Sequence, residues 1–142
     1  MSEVVPARGI VLAHGELGHG LVDAVRQIAG AEADALVPLS NRGLSPVTLA
    51  DAIREHITGP RTYLFTDLPS GSCGFVSRKL LRDVAGLVVV SGVNLPLLLE
   101  FVMSRHLPDA ELSARLLEKG RSAMGCSPAP PTSHADRIAS RG

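Results

Sequence analysis

The sequence is poor in aromatic residues: it contains no Trp, and aromatic residues make up only 3% of its 142 positions. Because 45% of the residues are nevertheless hydrophobic, a core must be built from Leu, Val, Ile and Ala, the usual composition of packed α/β layers. Lys plus Arg equals Asp plus Glu at 14 each, and no basic run with interleaved aromatics occurs. The sequence therefore indicates neither a nucleic-acid groove nor a membrane surface, and its length fits one domain.

Cysteines and long apolar runs are also scarce. The two cysteines, Cys73 and Cys126, are not spaced as metal ligands, and no disulfide is expected between them in a reducing compartment. No apolar run approaches the ~20 residues of a membrane span, and the N-terminus lacks the basic start of a signal peptide. We therefore expect a cytoplasmic protein with free thiols.

Short apolar stretches that predict strands alternate with stretches of helical period. We predict strands at 10–13, 35–39, 61–66 and 85–90, and the first two helices carry apolar residues at helical spacing: Leu17, Leu21, Val25 and Ile28, then Val47, Ala50, Ile53 and Ile57. This alternation requires an α/β, doubly wound, mostly parallel four-stranded sheet with helices on both faces. Because Pro38 cannot donate to a ladder, the second strand lies at an edge, which gives the strand order 2-1-3-4.

The C-terminal part of the chain changes in character. A last helix is predicted from about Pro108 to a stop near Gly120, and the segment 122–126 leaves room for an extra C-terminal edge strand. From Ser127 the sequence SPAPPTS buries nothing and is typical of a linker or tail. We therefore predict one domain over 1–125 and a Pro-rich flexible tail over 126–142.

Polar residues follow strands that end at the same edge of the predicted sheet. His14 and Gly15 stand where the first strand gives way to a helix, whose free N–H groups favour an anion. Asp67 follows the third strand, and a carboxylate within reach of one imidazole nitrogen would fix the tautomer and make the other nitrogen a better nucleophile. Ser72, with the N–H groups around Gly71, is placed to hold phosphoryl oxygens.

Each of these residues also has a plainer interpretation. His14 could be an ordinary loop histidine, Asp67 could cap the following turn, and Ser72 could be an N-cap. His19, one turn further into the first helix, is interpreted as an exposed helical residue whose surrounding N–H groups are already paired. For Asn94 we favour a capping role over contact with the site.

Several other catalytic motifs are missing. Ser70 replaces the first glycine of the Gly-x-Ser-x-Gly nucleophile elbow at 70–74, which disfavours a serine hydrolase acting through Ser72. There is no P-loop, no dinucleotide-binding glycine spacing and no acidic cluster after the first strand. The loops that carry His14, Asp67 and Ser72 contain no Lys or Arg.

Three segments together resemble a known family. They are GIVLAHGEL at 9–17, TDLPSGS at 66–72 and SGVNLPLLLE at 91–100. In this order and spacing they strongly resemble the IIA domain of the mannose-type sugar phosphotransferase system, from about residue 9 to 105 and more loosely to 125. The family's loop usually reads Asp-x-x-Gly-Gly-Ser-Pro with an Asn two residues later, whereas Ser70, Cys73 and Phe75 stand at its Gly, Pro and Asn positions here.

The resemblance implies a phosphotransferase component that takes a phosphoryl group from the phosphohistidine of HPr and passes it to a IIB component, and so serves the membrane components IIC and IID indirectly. His14 would carry the group, Asp67 would orient it, and Gly15, Gly71 and Ser72 would contact it. Such a carrier needs no metal or other cofactor, and the family typically forms homodimers by exchanging a C-terminal strand. The main alternative is a regulatory binding module that phosphorylation of His14 switches without sugar transport.

Overall fold

The computed structural model describes residues 4–131. Four strands, β1 (Arg8–Ala13), β2 (Leu36–Ser40), β3 (Thr62–Thr66) and β4 (Leu87–Ser91), form one parallel sheet in the order β2-β1-β3-β4. The helices are α1 (Leu17–Ala29), α2 (Pro46–Glu55), α3 (Gly71–Asp83), α4 (Leu95–Ser104) and α5 (Asp109–Ser122), and a 3-10 helix spans Gly30–Ala35. The predicted fold and strand order are confirmed, and Pro38 lies in an edge strand. No helix within residues 4–131 is long and apolar enough to cross a membrane.

Helices cover both faces of the sheet, as predicted for a doubly wound fold. Alternate strand residues point to opposite faces, so Val11 and Phe65 pack with α1, α4 and α5. Ile10 and Leu64 pack on the other face with α2 and α3. Because β1 and β3 are covered on both sides, they are buried along nearly their whole length, which explains their continuous apolar sequence.

Three of the four aromatic residues are concentrated at one place in the core. Tyr63, Phe65 and Phe101 are fully buried, and the rings of Phe65 and Phe101 meet edge to face with centroids 4.9 Å apart. Gly9 lies under this cluster, where an added Cβ would stand 2.7 Å from the Leu36 side chain and 2.9 Å from Phe65. The β1 strand therefore needs glycine at this position to let the large rings reach the sheet.

The apolar faces of the first two helices are rotated from those predicted. In α1 the buried residues are Gly18, Val22 and Val25, whereas Leu17 and Ile28 are 49% and 63% exposed. In α2 the buried residues are Leu49 and Ile53, and Val47 is 71% exposed. The reason in α1 is the close approach of the helix to β1, because a Cβ at Gly18 would stand 2.9 Å from the Val11 carbonyl oxygen.

The extra C-terminal strand that the sequence suggested at 122–126 is not formed in the chain. Helix α5 continues through Gly120 to Ser122, and residues 123–126 belong to no strand. Gly120 does not end the helix because it packs against Leu97, where a Cβ would be only 3.0 Å from Cδ1, and its carbonyl accepts a hydrogen bond of 2.8 Å from the Asn94 side chain. Residues 127–131 are exposed and form no helix or strand; the predicted flexible tail otherwise lies outside the described residues.

A polar cluster fastens α5 to the edge of the sheet opposite the strand ends that carry His14 and Asp67. The Arg61 guanidinium, whose side chain is only 13% exposed, lies 2.7 Å from an Asp109 carboxylate oxygen and donates to the carbonyl oxygens of Arg105 and Leu107. The Tyr63 hydroxyl donates to the same carboxylate at 3.1 Å. Burial is the main reason that the pKa of Tyr63 is raised. This cluster holds the start of α5 in place.

Candidate active site

The structure brings His14 and Asp67 into direct contact. They follow β1 and β3, which are neighbours in the sheet with Leu12 beside Thr66. The backbone N–H of His14 donates to Oδ2 of Asp67 at 3.0 Å, and Nδ1 of the His14 ring lies 2.9 Å from the same oxygen. One carboxylate oxygen therefore holds both the backbone and the ring of the histidine.

The other oxygen of Asp67 is also used, because Oδ1 accepts a hydrogen bond of 3.0 Å from the N–H of Leu68. The orienting and turn-capping interpretations of Asp67 are thus compatible. The side chain is only 10% exposed, and this burial raises the pKa of the carboxyl. The hydrogen bonds from the His14 backbone and ring lower it by more, so the pKa of Asp67 falls below its ordinary value of 3.8.

The ionised carboxylate determines the chemistry of the ring. Because a carboxylate can only accept hydrogen bonds, Nδ1 of His14 must carry the proton, and Nε2 then holds the free lone pair. The His14 side chain is 47% exposed, and within residues 4–131 no hydrogen-bond partner occupies Nε2. An imidazole in this tautomer presents Nε2 and its lone pair to solvent, where this nitrogen can attack an electrophile.

Two helices begin beside this pair without a side-chain cap. Helix α1 begins three residues after His14, with Glu16 at its N-cap, and α3 begins after the Asp67 loop, with Ser70 at its N-cap. Neither N-cap side chain accepts a hydrogen bond from the N–H groups of its helix. By contrast, Ser45 caps α2. The uncapped N-terminal N–H groups of α1 and α3, together with the helix dipoles, favour an anion near His14.

Glycines shape both loops at the site. Gly15 and Gly71 have φ values of 55° and 75°, a left-handed conformation that side chains other than glycine rarely adopt. Gly74 is required for a different reason, since a Cβ there would stand 2.3 Å from the Pro69 carbonyl oxygen. The Asp67 loop therefore folds tightly back on the first turn of α3.

The remaining predicted residues lie at the same edge with less direct contact. Gly71 and Ser72 are the first two residues of α3, and Ser72 is exposed. Among the described residues no hydrogen bond joins Ser72 to His14. Asn94 caps α4 by accepting a bond of 3.1 Å from the Leu97 N–H, as we favoured.

The prediction that His19 lies among N–H groups already paired within the helix was wrong. His19 is the third residue of α1 and lies in the first turn of the helix, whose N–H groups are not yet paired, rather than a turn further along. What separates it from His14 is the orienting carboxylate, because His19 is exposed and has no such partner among residues 4–131.

The three departures from the family's loop have different consequences. Ser70 is the N-cap of α3, and Cys73 is fully buried in the core beneath the loop. Burial, with a smaller effect of the Asp67 charge, raises the pKa of the Cys73 thiol, so it is a packing residue. Phe75 is 57% exposed on α3. These substitutions leave the His14–Asp67 contact intact.

Sequence reasoning missed one residue at this edge, Arg42. It follows β2 in the loop beside Gly15, and its Nη2 atom would stand 3.1 Å from a Cβ at Gly15. Its Nη1 atom lies 3.5 Å from an oxygen of Glu16. The motif loops themselves contain no cation. Strand β2 also ends at the carboxyl edge of the sheet, so the loop after it could have been searched for a cation, and this would have identified Arg42.

Fold and site together define an α/β protein that presents an oriented histidine at the carboxyl edge of a parallel sheet. A family model described as the fructose IIA component of the phosphotransferase system matches residues 9–117. The chain therefore belongs to this family, the fructose and mannose IIA components of the sugar phosphotransferase system, which are phosphotransferase components. No curated protein sequence matches the chain.

Solved structures agree with this membership. A phosphotransferase system component EIIA from Streptococcus agalactiae is 26% identical, with a TM-score of 0.78 over 84% of this chain and 96% of that one. A mannose/sorbose-specific IIA subunit from Enterococcus faecalis is 28% identical, with a TM-score of 0.73 over 91% and 100% of the two chains. A sigma-54 interaction domain protein from Enterococcus faecalis, 13% identical with a TM-score of 0.71 over 86% of this chain and 95% of that one, shares the fold alone.

Proposed function

We propose that this protein is a phosphoryl carrier, in which Nε2 of His14 accepts a phosphoryl group from the phosphohistidine of HPr and passes it to a IIB component. The observation that carries this proposal is the contact of Nδ1 with Asp67 at 2.9 Å. It leaves Nε2 as the free nucleophilic atom. Membership of the IIA family supports HPr and IIB as the partners.

The transfer requires no proton to move. Nε2 attacks phosphorus as the P–N bond to the donor imidazole breaks, and the donor ring, which carries a proton on its other nitrogen, keeps that electron pair and leaves as neutral imidazole. Nδ1 of His14 keeps its proton throughout, so the phosphorylated ring carries a positive charge. Asp67 stabilises that charge through a charge-assisted hydrogen bond that is already in place before the reaction.

The backbone groups where α1 and α3 begin suit a temporary phosphoryl group. The turn at Gly15 and the first residues of α3, Gly71 and Ser72, offer N–H groups and a hydroxyl to phosphoryl oxygens. Backbone dipoles of this kind stabilise an anion moderately. Moderate stabilisation is what a relay needs, because a phosphohistidine held too tightly would not pass its group to IIB.

We also propose that the carrier works in the cytoplasm as a homodimer and serves IIC and IID only through IIB. Support for the dimer comes from β4, an edge strand whose Val88 and Val89 are only partly buried. An edge strand of this composition is stabilised by pairing with another chain, which the segment at 122–126 would provide. Sedimentation at micromolar concentration tests this, and a purely monomeric protein would contradict it.

The carrier proposal is tested by incubating the protein with phosphorylated HPr, followed by intact-mass measurement. We expect one added phosphoryl group in the wild type and in the matched control His19→Ala, and none in His14→Ala. The adduct should be lost in acid, because a P–N bond to a protonated imidazole is labile there, whereas the phosphate ester of a serine is stable. Labelling that survives His14→Ala, or an acid-stable adduct that points to Ser72, would refute the assignment.

A second measurement separates the carrier from the regulatory alternative. The phosphorylated protein is mixed with purified IIB components, and the mass of each protein is followed with time. The carrier should lose its phosphoryl group to a IIB within seconds to minutes. Stable retention with every IIB, accompanied by a changed affinity for another protein, would favour a regulatory module.

A further inference from the structure

The loop after β2 is held against the His14 loop by backbone contacts. Ser40 pairs with Ala13 at the end of the β1–β2 ladder, and the N–H of Asn41 donates to the Ala13 carbonyl at 3.2 Å. The N–H of Arg42 then donates to Oγ of Ser40 at 3.1 Å. The backbone of Arg42 is therefore fixed beside the two residues that follow β1.

The Arg42 side chain lies along this loop and is only weakly bound there. Its guanidinium packs against Gly15, and the nearest carboxylate oxygen, on Glu16, is 3.5 Å from Nη1. The two side chains are 69% and 76% exposed. Exposed pairs of this kind contribute about 0–1 kcal/mol, so Arg42 can leave Glu16 for a stronger anionic partner without a large loss.

Phosphorylation of His14 would create such a partner. A phosphoryl group carries close to two negative charges, and it would join a segment that already has two carboxylates, that of Asp67 on Nδ1 of the His14 ring and that of Glu16 two residues further along the chain. In the described part of the chain, Arg42 is the cation that pairs with the segment 14–16. The planar guanidinium fork also matches the spacing of phosphoryl oxygens.

We propose that Arg42 is the phosphoryl-contacting cation of this site and exchanges Glu16 for the phosphoryl group on His14. Glu16 is then the competitor that limits how strongly Arg42 holds the group. This inference rests on the proposed carrier function and assigns it a charge partner from outside the motif loops. It predicts that Arg42 and Glu16 shift the phosphorylation equilibrium in opposite directions.

The test is the equilibrium constant for phosphoryl exchange with HPr, measured by intact mass at several salt concentrations. We expect Arg42→Gln to lower the constant about fivefold, the scale of an exposed charge-assisted contact, with partial recovery in Arg42→Lys. Glu16→Gln should raise the constant, and the increase should vanish when Arg42→Gln is also present. The effect of Arg42→Gln should shrink in high salt, which a purely structural role would not show.

The matched control is Arg26→Gln, which removes an exposed arginine paired with Asp34 at the opposite end of α1. It should leave the exchange constant unchanged. If the wild type accepts phosphate on His14 but Arg42→Gln and Glu16→Gln match it within twofold, the Arg42 inference alone is wrong. If the wild type accepts no phosphate from HPr, the carrier function fails, and this inference fails with it.

Discussion

Replacing Asp67 by Asn should slow phosphoryl acceptance while the protein still folds. At present Oδ2 accepts from the backbone and ring of His14, and Oδ1 accepts from the N–H of Leu68. Asn has one oxygen for these three donors. If the oxygen faces His14, the Leu68 bond is lost; if it faces Leu68, the amide NH₂ opposes the ring and favours the tautomer with its proton on Nε2, which cannot attack phosphorus.

The size of the effect follows from the charge that is removed. A hydrogen bond to a charged group contributes about 1.5–3 kcal/mol, and a neutral one about 1 kcal/mol. The phosphorylated ring therefore loses about 0.5–2 kcal/mol of stabilisation. Since 1.36 kcal/mol is about tenfold in rate, we expect acceptance to slow about twofold to thirtyfold. The lost Leu68 bond would cost about 1 kcal/mol of folding stability in addition.

Rapid-quench measurements with phosphorylated HPr give the rate of acceptance, and thermal unfolding gives the stability. Asp83→Asn is the matched control, because Asp83 lies at the far end of α3 and makes an exposed pair with Arg54. It should accept phosphate at the wild-type rate. A wild-type rate in Asp67→Asn would refute the orienting role of the carboxylate.

Three further outcomes are expected. Arg61→Ala should lower the free energy of unfolding in urea by about 2–3 kcal/mol without slowing phosphoryl acceptance. The loss is somewhat smaller than for a fully buried ion pair because Asp109 is 43% exposed. An unchanged unfolding midpoint would contradict this expectation. Gly74→Ala should destabilise by about 1–3 kcal/mol and slow acceptance, whereas Gly20→Ala, with open space at its Cβ, should do neither. Because the pKa of Asp67 is lowered in the folded state, the ionised carboxylate stabilises the fold fully above about pH 4, and this stabilisation is lost as the pH falls further. The difference in unfolding free energy between the wild type and Asp67→Asn should therefore shrink in acid. A difference that stays constant with pH would contradict this expectation.

The strand order could be predicted because it depends on local pattern and on the missing N–H of one residue. Short apolar stretches indicated strands at β1 and β3, and Pro38 placed β2 at an edge. Since parallel strands end at one edge, His14 and Asp67 could be placed near each other from their positions after β1 and β3. These features depend on residue types and on their positions along the sequence.

Packing decided the features that the pattern could not. The faces of α1 and α2 were rotated from the predicted ones because burial depends on how closely each helix approaches the sheet, as at Gly18. The segment after Gly120 stayed helical because Leu97 and Asn94 hold that turn, although glycine usually ends a helix. Such contacts join residues far apart in the sequence.

At the site, the sequence determined the types of residue, and the tertiary structure decided their roles. A histidine and an aspartate at neighbouring strand ends could be recognised from sequence, but only folding assigns Nδ1 to Asp67 and leaves Nε2 free. Arg42 belongs to a loop outside the motifs and reaches Gly15 only because β2 pairs with β1. The direction of a ring and the reach of a guanidinium depend on distances across the sheet, which spacing along the chain does not contain.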